Sequence, residues 1–127
     1  MGDALSAQDL LDAARRRITR YSPAAALAAQ SQGNVIVDLR CNTDRIAEGG
    51  IPGSIPIALS VLPWRADPTS AFRDDQITDS DLILVCNDGF SSSLAAAQLL
   101  DMGIEAGDLD GGFRAGADAG LPVESHT

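Results

Sequence analysis

Four apolar residues in succession, Leu82-Ile83-Leu84-Val85, run straight into Cys86, and the turn-forming segment Asn87-Asp88-Gly89-Phe90 then leads to the helical pattern SSSLAAAQLL. A short continuous apolar run of this kind is a strand buried on both faces, so the chain must supply covering layers on either side of a sheet. The order strand, tight loop, helix also places the Cys86 thiol beside backbone N–H groups that the helix N-terminus does not use. Such groups stabilise an anion and favour the thiolate, the form that attacks sulfur and other electrophiles. A free cysteine is more commonly a small apolar residue closing a buried strand. The strand-loop-helix setting favours the reactive reading here.

The rest of the chain supplies the layers. Residues from Ser6 to Arg17 carry an apolar stripe at Leu10, Leu11 and Ala14, continued at Ile18, behind Ser6 as a cap, which is an amphipathic helix. Arg15-Arg16-Arg17 complements the dipole at its C-terminal end better than it serves as a nucleic-acid patch. Ser22 and Pro23 open a second helix that stops near Gly33, and Val35-Ile36-Val37 is a buried strand ending at the polar Asp38. Thr43 to Glu48 makes one or two helical turns, Gly49 to Ser54 is a loop, and Ile55 to Leu59 is a further strand candidate. Pro63 can open or kink a short helix, Ala66 to Asp81 reads as mostly surface, and the helix after Cys86 runs from about Ser92 to Met102. A short apolar piece around Leu109 and a helix-like segment from Gly112 to Ala119 complete the alternation, and the residues after Pro122 read as a frayed tail. Alternating strands and helices indicate an α/β domain with a mainly parallel sheet. Ligands bind such sheets at the carboxyl ends of the strands, where Asp38 and Cys86 both fall.

Composition narrows the function classes. With 127 residues there is room for one core, and eighteen acidic residues against nine basic ones give a charge of −9, which opposes binding to nucleic acid or to an anionic membrane surface. No stretch has the roughly 20 apolar residues of a membrane span, and the charges of MGDALSAQDLLDAARRR are misplaced for a secretory signal, so a cytoplasmic protein, monomeric or weakly dimeric, is expected. Two cysteines make no disulfide framework, and the single histidine, His126, leaves no cluster with metal-ligand spacing; no metal and no cofactor are expected.

Val37-Asp38-Leu39-Arg40, Arg45, Gly50-Ile51-Pro52-Gly53-Ser54-Ile55, Leu82 to Gly89, Ser92 and Asp110-Gly111-Gly112-Phe113 occur in an order and spacing that resembles the rhodanese-like domain, over about residues 20 to 123. The resemblance implies an α/β fold with a central, mainly parallel five-stranded sheet flanked by helices on both faces. It further implies a division into an N-terminal helical extension packed on the domain (1–19), the domain itself (20–123) and a tail (124–127). It also implies a single-domain sulfurtransferase in which Cys86 carries sulfane sulfur as a persulfide, the substrate being a small sulfur donor or a persulfide or thiol protein. Backbone N–H groups from Asn87, Asp88, Gly89, Phe90, Ser91 and Ser92 would cradle the terminal sulfur, with Gly89 allowing a conformation that other residues resist. The bland reading of Ser91, Ser92 and Ser93 is that one of them caps the helix. Arg45 matches a family arginine that braces loops. Arg65 and Trp64 are candidates for one wall of the pocket, although Trp64 also suits a core anchor.

The six-residue loop from Cys86 to Ser91 matches the sulfurtransferases of the family; the related dual-specificity phosphatases have one residue more and end in an arginine. Here Ser92 stands at that position, so the bidentate phosphate ligand is missing. Other departures are equally informative. Asn87, Phe90 and Ser91 are neutral and Asp88 is acidic where many sulfurtransferase loops are basic, and Gly50 replaces a common histidine. A carboxylate near the thiolate raises its pKa and repels thiosulfate, so a less charged donor is expected unless cations fold over the loop. Asp38 and Arg40 read as a structural ion pair, and Cys41 is a candidate resolving thiol. The alternative to an enzyme is a non-catalytic rhodanese-like binding module, or one that senses oxidants through Cys86.

Overall fold

A computed structural model describes residues 4–125. The chain begins with helix α1 (Ala7–Arg17), closed at its start by a reciprocal pair in which the Asp9 N–H donates to Ser6 Oγ and the Ser6 N–H donates to the Asp9 carboxylate, each at 3.0 Å. Of the stripe on α1, Leu11 and Ala14 are buried, whereas Leu10 remains half exposed. Strand β1 (Arg20–Tyr21) follows, and then α2 (Pro23–Ser31), capped by the Ser22 hydroxyl with Pro23 in the first turn, where its missing N–H costs nothing. The remaining order is β2 (Val35–Asp38), α3 (Asn42–Glu48), β3 (Ile55–Pro56), a 3₁₀ turn (Leu59–Val61), α4 (Leu62–Ala66), β4 (Leu82–Val85), α5 (Ser91–Asp101), β5 (Ala106–Leu109) and α6 (Gly112–Asp118).

The strands form one five-stranded sheet in the order β1-β5-β4-β2-β3, with every neighbouring pair parallel. β4 is the central strand and all four of its residues are buried, as its uninterrupted apolar run requires. Its two faces pack into separate cores. Leu82 and Leu84 join Ala95, Ala96 and Leu99 of α5 on one side, and Ile83 and Val85 join Ala26 of α2 and Phe113 of α6 on the other. α1 packs against α5, so the α5 face of the sheet carries a second helical cover.

Three local expectations change. The candidate strand from Ile55 to Leu59 ends at Pro56, which has no N–H to offer the ladder; one further bond from Ile57 N–H to the Asp38 carbonyl precedes the 3₁₀ turn. The segment Ala66 to Asp81 is mostly turns held by side chains, Asp67 accepting from the Thr69 N–H and Asp74 from the Gln76 N–H, yet it inserts Ile77 into the core beside Leu62 and Leu99. Ile77 had no periodic partners to reveal it. Glu124, at the start of the supposed tail, exchanges two backbone hydrogen bonds with Gly50; His126 lies outside the described residues.

Candidate active site

Cys86 follows the last residue of β4, and its side chain sits on the floor of the loop, 7% exposed. Two backbone donors converge on the sulfur: the Gly89 N–H at 3.1 Å and the Ser92 N–H at 3.4 Å. Gly89 reaches this geometry with φ +86°, and a Cβ there would lie 3.0 Å from the Gly111 and Gly112 nitrogens, so both the conformation and the space demand glycine. The Asp110-Gly111-Gly112-Phe113 turn holds the loop from behind, the Phe113 N–H donating to the Cys86 carbonyl at 2.8 Å and the Arg114 N–H to the Asn87 carbonyl at 3.1 Å. Gly112 is the contact point, since a Cβ on it would stand 2.6 Å from the Asn87 carbonyl oxygen.

No serine hydroxyl caps α5: its N-cap is Phe90, with no side-chain bond. The Ser92 N–H in the first turn of the helix faces sulfur, and the Ser92 and Ser93 hydroxyls turn inward instead. Ser92 Oγ donates to Asp108 Oδ2 at 2.8 Å and Ser93 Oγ to the same oxygen at 2.7 Å, all three side chains being inaccessible to solvent. The Cys86 thiol donates to Ser92 Oγ at 3.2 Å, so a chain of hydrogen bonds runs from sulfur through a hydroxyl to a buried carboxylate. Burial pushes the Cys86 thiol up, but the hydroxyls of Ser92 and Ser91 and the N–H groups of Ser92 and Gly89 more than offset it, and the thiol ionises below the ordinary cysteine range. The Ser92 proton serves either Asp108 or the thiolate. When it turns to sulfur, Asp108 keeps Ser93 and its arginine.

That arginine is Arg20. β1 pairs with β5 so that Arg20 stands opposite Asp108 in register, and its Nε and Nη2 donate to the two carboxylate oxygens at 3.0 and 3.2 Å. Arg20 Nη2 also reaches the Gly89 carbonyl at 3.1 Å, and Arg15 of α1 donates to the same oxygen at 2.9 Å while its Nε reaches Ser93 Oγ at 3.2 Å. Arg20 and Asp108 were not singled out by sequence, and Arg15 and Ser93 were read there only as a complement to the helix dipole and as a possible helix cap. The one local signal was an aspartate lodged between Gly107 and Leu109 in an apolar strand, which needs a buried partner.

Above the sulfur lies a cleft of ≈ 390 Å³ bordered by Cys86, Asn87, Asp88, Phe90 and Ser91 from the loop and by Arg40, Cys41 and Asp44 from the end of β2 and the start of α3. Asp88 points outward, its carboxylate taken by Arg114 at 3.3 Å, and Arg114 is further held by Glu48 in a two-pronged pair. Asn87 donates to Asp44, which also accepts from the Cys41 thiol. Phe90 is 62% exposed at the rim. Arg45 lies behind the cleft, bonded to the Arg40 carbonyl and 3.9 Å from Asp38, where it braces the β2 end. Arg40 is buried between Asp38 and the Gly49 carbonyl, with its guanidinium over the Phe113 ring. Arg65 is not brought to the loop: it bonds the Phe72 carbonyl and Asp74. Trp64, half exposed, borders a neighbouring groove that shares Ser91 and Leu94 with the loop side. Among the described residues no group of His, Cys, Asp or Glu side chains is arranged to hold a metal ion, and no helix is long and apolar enough to cross a membrane.

Comparison with known proteins bears on this arrangement. The family model "Rhodanese-like domain" matches residues 22–119. A Synechococcus elongatus protein named "Putative thiosulfate sulfurtransferase" is 33% identical over 103 residues, covering 69% of this chain and 32% of its own length, so the chain spans about a third of that relative. Among solved structures, a Rhodopseudomonas palustris protein of unknown function, described as a possible tyrosine phosphatase, is similar over 98% of this chain and 99% of its own, with 31% identity and a TM-score of 0.87. A rhodanese-related protein of Thermoplasma volcanium has a TM-score of 0.68 at 24% identity, over 84% of this chain and 98% of its own, a likeness of fold. The matched residues take in β2 through β5 and the whole Cys86 loop, and the chain belongs to the rhodanese-like domain family.

Proposed function

We propose that the protein is a sulfurtransferase that carries sulfane sulfur on Cys86. The observation that carries the reading is the convergence of the Gly89 and Ser92 N–H groups on a Cys86 sulfur that lies at the base of an open cleft. The Cys86 thiolate attacks the outer sulfur of a donor; the new S–S bond forms as the bond to the leaving group breaks, and that group departs with the electron pair as sulfite from thiosulfate or as a thiolate from an organic persulfide. The enzyme-bound persulfide ends in an anionic sulfur that the loop N–H groups from Asn87 to Ser92 can solvate. Cyanide or an acceptor thiolate then attacks that terminal sulfur and releases the Cys86 thiolate.

The surroundings favour a donor of low charge. Asp44 and Asp88 border the cleft, and the chain carries −9 overall, so a dianion such as thiosulfate meets repulsion. Exposed Phe90 and a groove of ≈ 360 Å³ lined by Ala7, Leu11, Phe90 and Leu94 suit an organic or protein-borne persulfide instead. In this reading residues 20–123 form the sulfur-carrying domain and residues 1–19 an extension packed on it, and the unpaired, ionisable Cys86 suits the reducing cytosol.

The phosphatase suggestion attached to the R. palustris protein fits this site poorly. Phosphoryl transfer is positioned by a guanidinium facing the cleft, whereas Arg15 and Arg20 are engaged by Gly89 behind the loop, Arg114 by Glu48, and Arg40 by Asp38. The test is thiocyanate production from cyanide, with thiosulfate and with a thiol-derived sulfane donor, in wild type and Cys86→Ser, together with the mass of the loaded protein. Cys86-dependent turnover and a one-sulfur mass increment, faster with the thiol-derived donor, are expected. Absence of both with every donor would leave the binding or oxidant-sensing module as the function.

A further inference from the structure

The Cys86 loop contains no basic residue, yet two guanidiniums lie against it. Arg15 Nη2 and Arg20 Nη2 both donate to the Gly89 carbonyl oxygen, at 2.9 and 3.1 Å. Both arginines precede residues 22–119, the span matched by the family model, one in α1 and the other in β1. They are 74 and 69 residues from Gly89 in sequence.

We propose that Arg15 and Arg20 are positioning residues that supply from the N-terminal segment the cationic support which the Cys86 loop lacks, fixing the Gly89–Phe90 peptide so that the loop's N–H groups face the reacting sulfur. The geometry follows from the peptide plane. In a trans peptide the C=O and N–H point in opposite directions, so a Gly89 carbonyl drawn back onto two guanidiniums turns the Phe90 N–H the other way, toward the cleft side of the loop. Gly89 lets the backbone enter this peptide in the required direction, because φ +86° is open to it without strain. Without the two guanidiniums only the Ser93 hydroxyl, 3.2 Å away and shared with Asp108, holds the Gly89 carbonyl back from the cleft, where an oxygen would oppose an anionic sulfur.

The same two side chains tie the loop to its surroundings. Arg20 neutralises Asp108, the carboxylate at the end of the Cys86–Ser92–Asp108 chain, and Arg15 lies 5.7 Å from the Phe90 ring centroid, fixing the rim beside the cleft. A buried carboxylate near a thiolate raises the energy of the thiolate. A cation on the far side of that carboxylate removes the repulsion, and Arg20 is in turn held in its charged form by Asp108, Asp110 and the Cys86 thiolate after the cost of its burial. The inference rests on Cys86 being the reacting group, as in the proposed function, but not on which electrophile it attacks.

The experiment is the pH dependence of iodoacetamide alkylation of Cys86 in the full chain carrying Cys41→Ser, compared with the same chain bearing Arg15→Met, Arg15→Lys or Arg16→Met. Arg16 is exposed on the same helix and its loss changes the net charge equally. Arg15→Met is expected to slow alkylation at pH 7 about fivefold by moving the midpoint upward, the direction in which loss of a nearby cation moves a thiol, while Arg15→Lys recovers most of the rate and Arg16→Met leaves it unchanged. Coincident profiles for Arg15→Met and wild type, or an equal shift in Arg16→Met, would overturn the proposal. Arg15 stabilises no buried charge, so the variants are expected to fold, and circular dichroism and thermal unfolding matching wild type confirm that a shifted profile reports the loop. A shifted profile in a protein that accepts sulfur from no donor would retain the two arginines' role and remove the sulfurtransferase reading.

Discussion

Two buried carboxylates flank the strand that delivers Cys86, and they are supported in opposite ways. On one side, Asp38 ends β2 and pairs with Arg40, two residues on, in a unit that needs only its own turn: the Arg40 N–H and Nε both donate to Asp38 Oδ1, and Nη2 donates to Oδ2 at 2.7 Å. On the other side, Asp108 lies in β5, and its arginine comes from β1, 88 residues earlier. The first pair is a local brace for the strand end. The second ties the Cys86 loop to the N-terminal part of the chain, because Arg20 also grips the Gly89 carbonyl and Asp108 also holds Ser92. A scaffold element and a site element can therefore have the same chemistry; what distinguishes them is what else the arginine touches.

The largest effects come from breaking either pair. Arg40→Ala and Arg20→Ala each strand a buried carboxylate and are expected to lower unfolding free energy by about 3 to 5 kcal/mol, with Arg20→Ala toward the lower end because the Ser92 and Ser93 hydroxyls still serve Asp108. Denaturant unfolding measures this. Alkylation should then separate the two: Arg20→Ala moves the Cys86 midpoint upward, since a cation is lost and an anion remains, whereas no hydrogen bond joins Asp38 or Arg40 to the sulfur and Arg40→Ala moves it less. Equal shifts would erase the distinction between brace and site.

An intermediate effect is expected from Ser92→Ala, which cuts the link between Cys86 and Asp108 but keeps the backbone donor. It should cost about 1 to 3 kcal/mol by removing one donor from a buried carboxylate, and raise the Cys86 midpoint, because a hydroxyl that favours the thiolate is gone. Thermal unfolding and the alkylation profile test both parts. The smallest effect belongs to Asp88→Ser. The sequence placed this carboxylate next to the thiolate, but it is turned outward onto Arg114, so the midpoint should barely change and only the rate with thiosulfate should rise modestly, read as a lower KM.

Cys41 adds a point on the local side of the comparison. It is exposed, borders the same cleft as Cys86 and donates to Asp44, three residues on, so its own hydrogen bond stays within the turn that opens α3.

What the sequence determined was everything carried by neighbours along the chain. The uninterrupted apolar run of β4 demanded a strand covered on both faces, Ser6 with Asp9 and Ser22 with Pro23 fixed two helix starts, and Val37-Asp38-Leu39-Arg40 contained its own ion pair. These depend on periodicity, capping and short-range hydrogen bonds, whose partners lie within a few residues. The tertiary structure decided the rest. Two-residue β1 has no pattern long enough to mark it as a strand, Ile77 enters the core from a segment without period, and the serines expected to cap α5 were drawn instead to a carboxylate in another strand. The sequence offered Arg45 as a loop brace and Arg65 as one wall of the pocket; the arginines that reach the loop are Arg15 and Arg20, because sheet order sets β1 beside β5 and packing lays α1 on α5. Of a charge pair across dozens of residues the local pattern shows one half at most, as with Asp108 between Gly107 and Leu109, since the partner is chosen only when folding removes both groups from water.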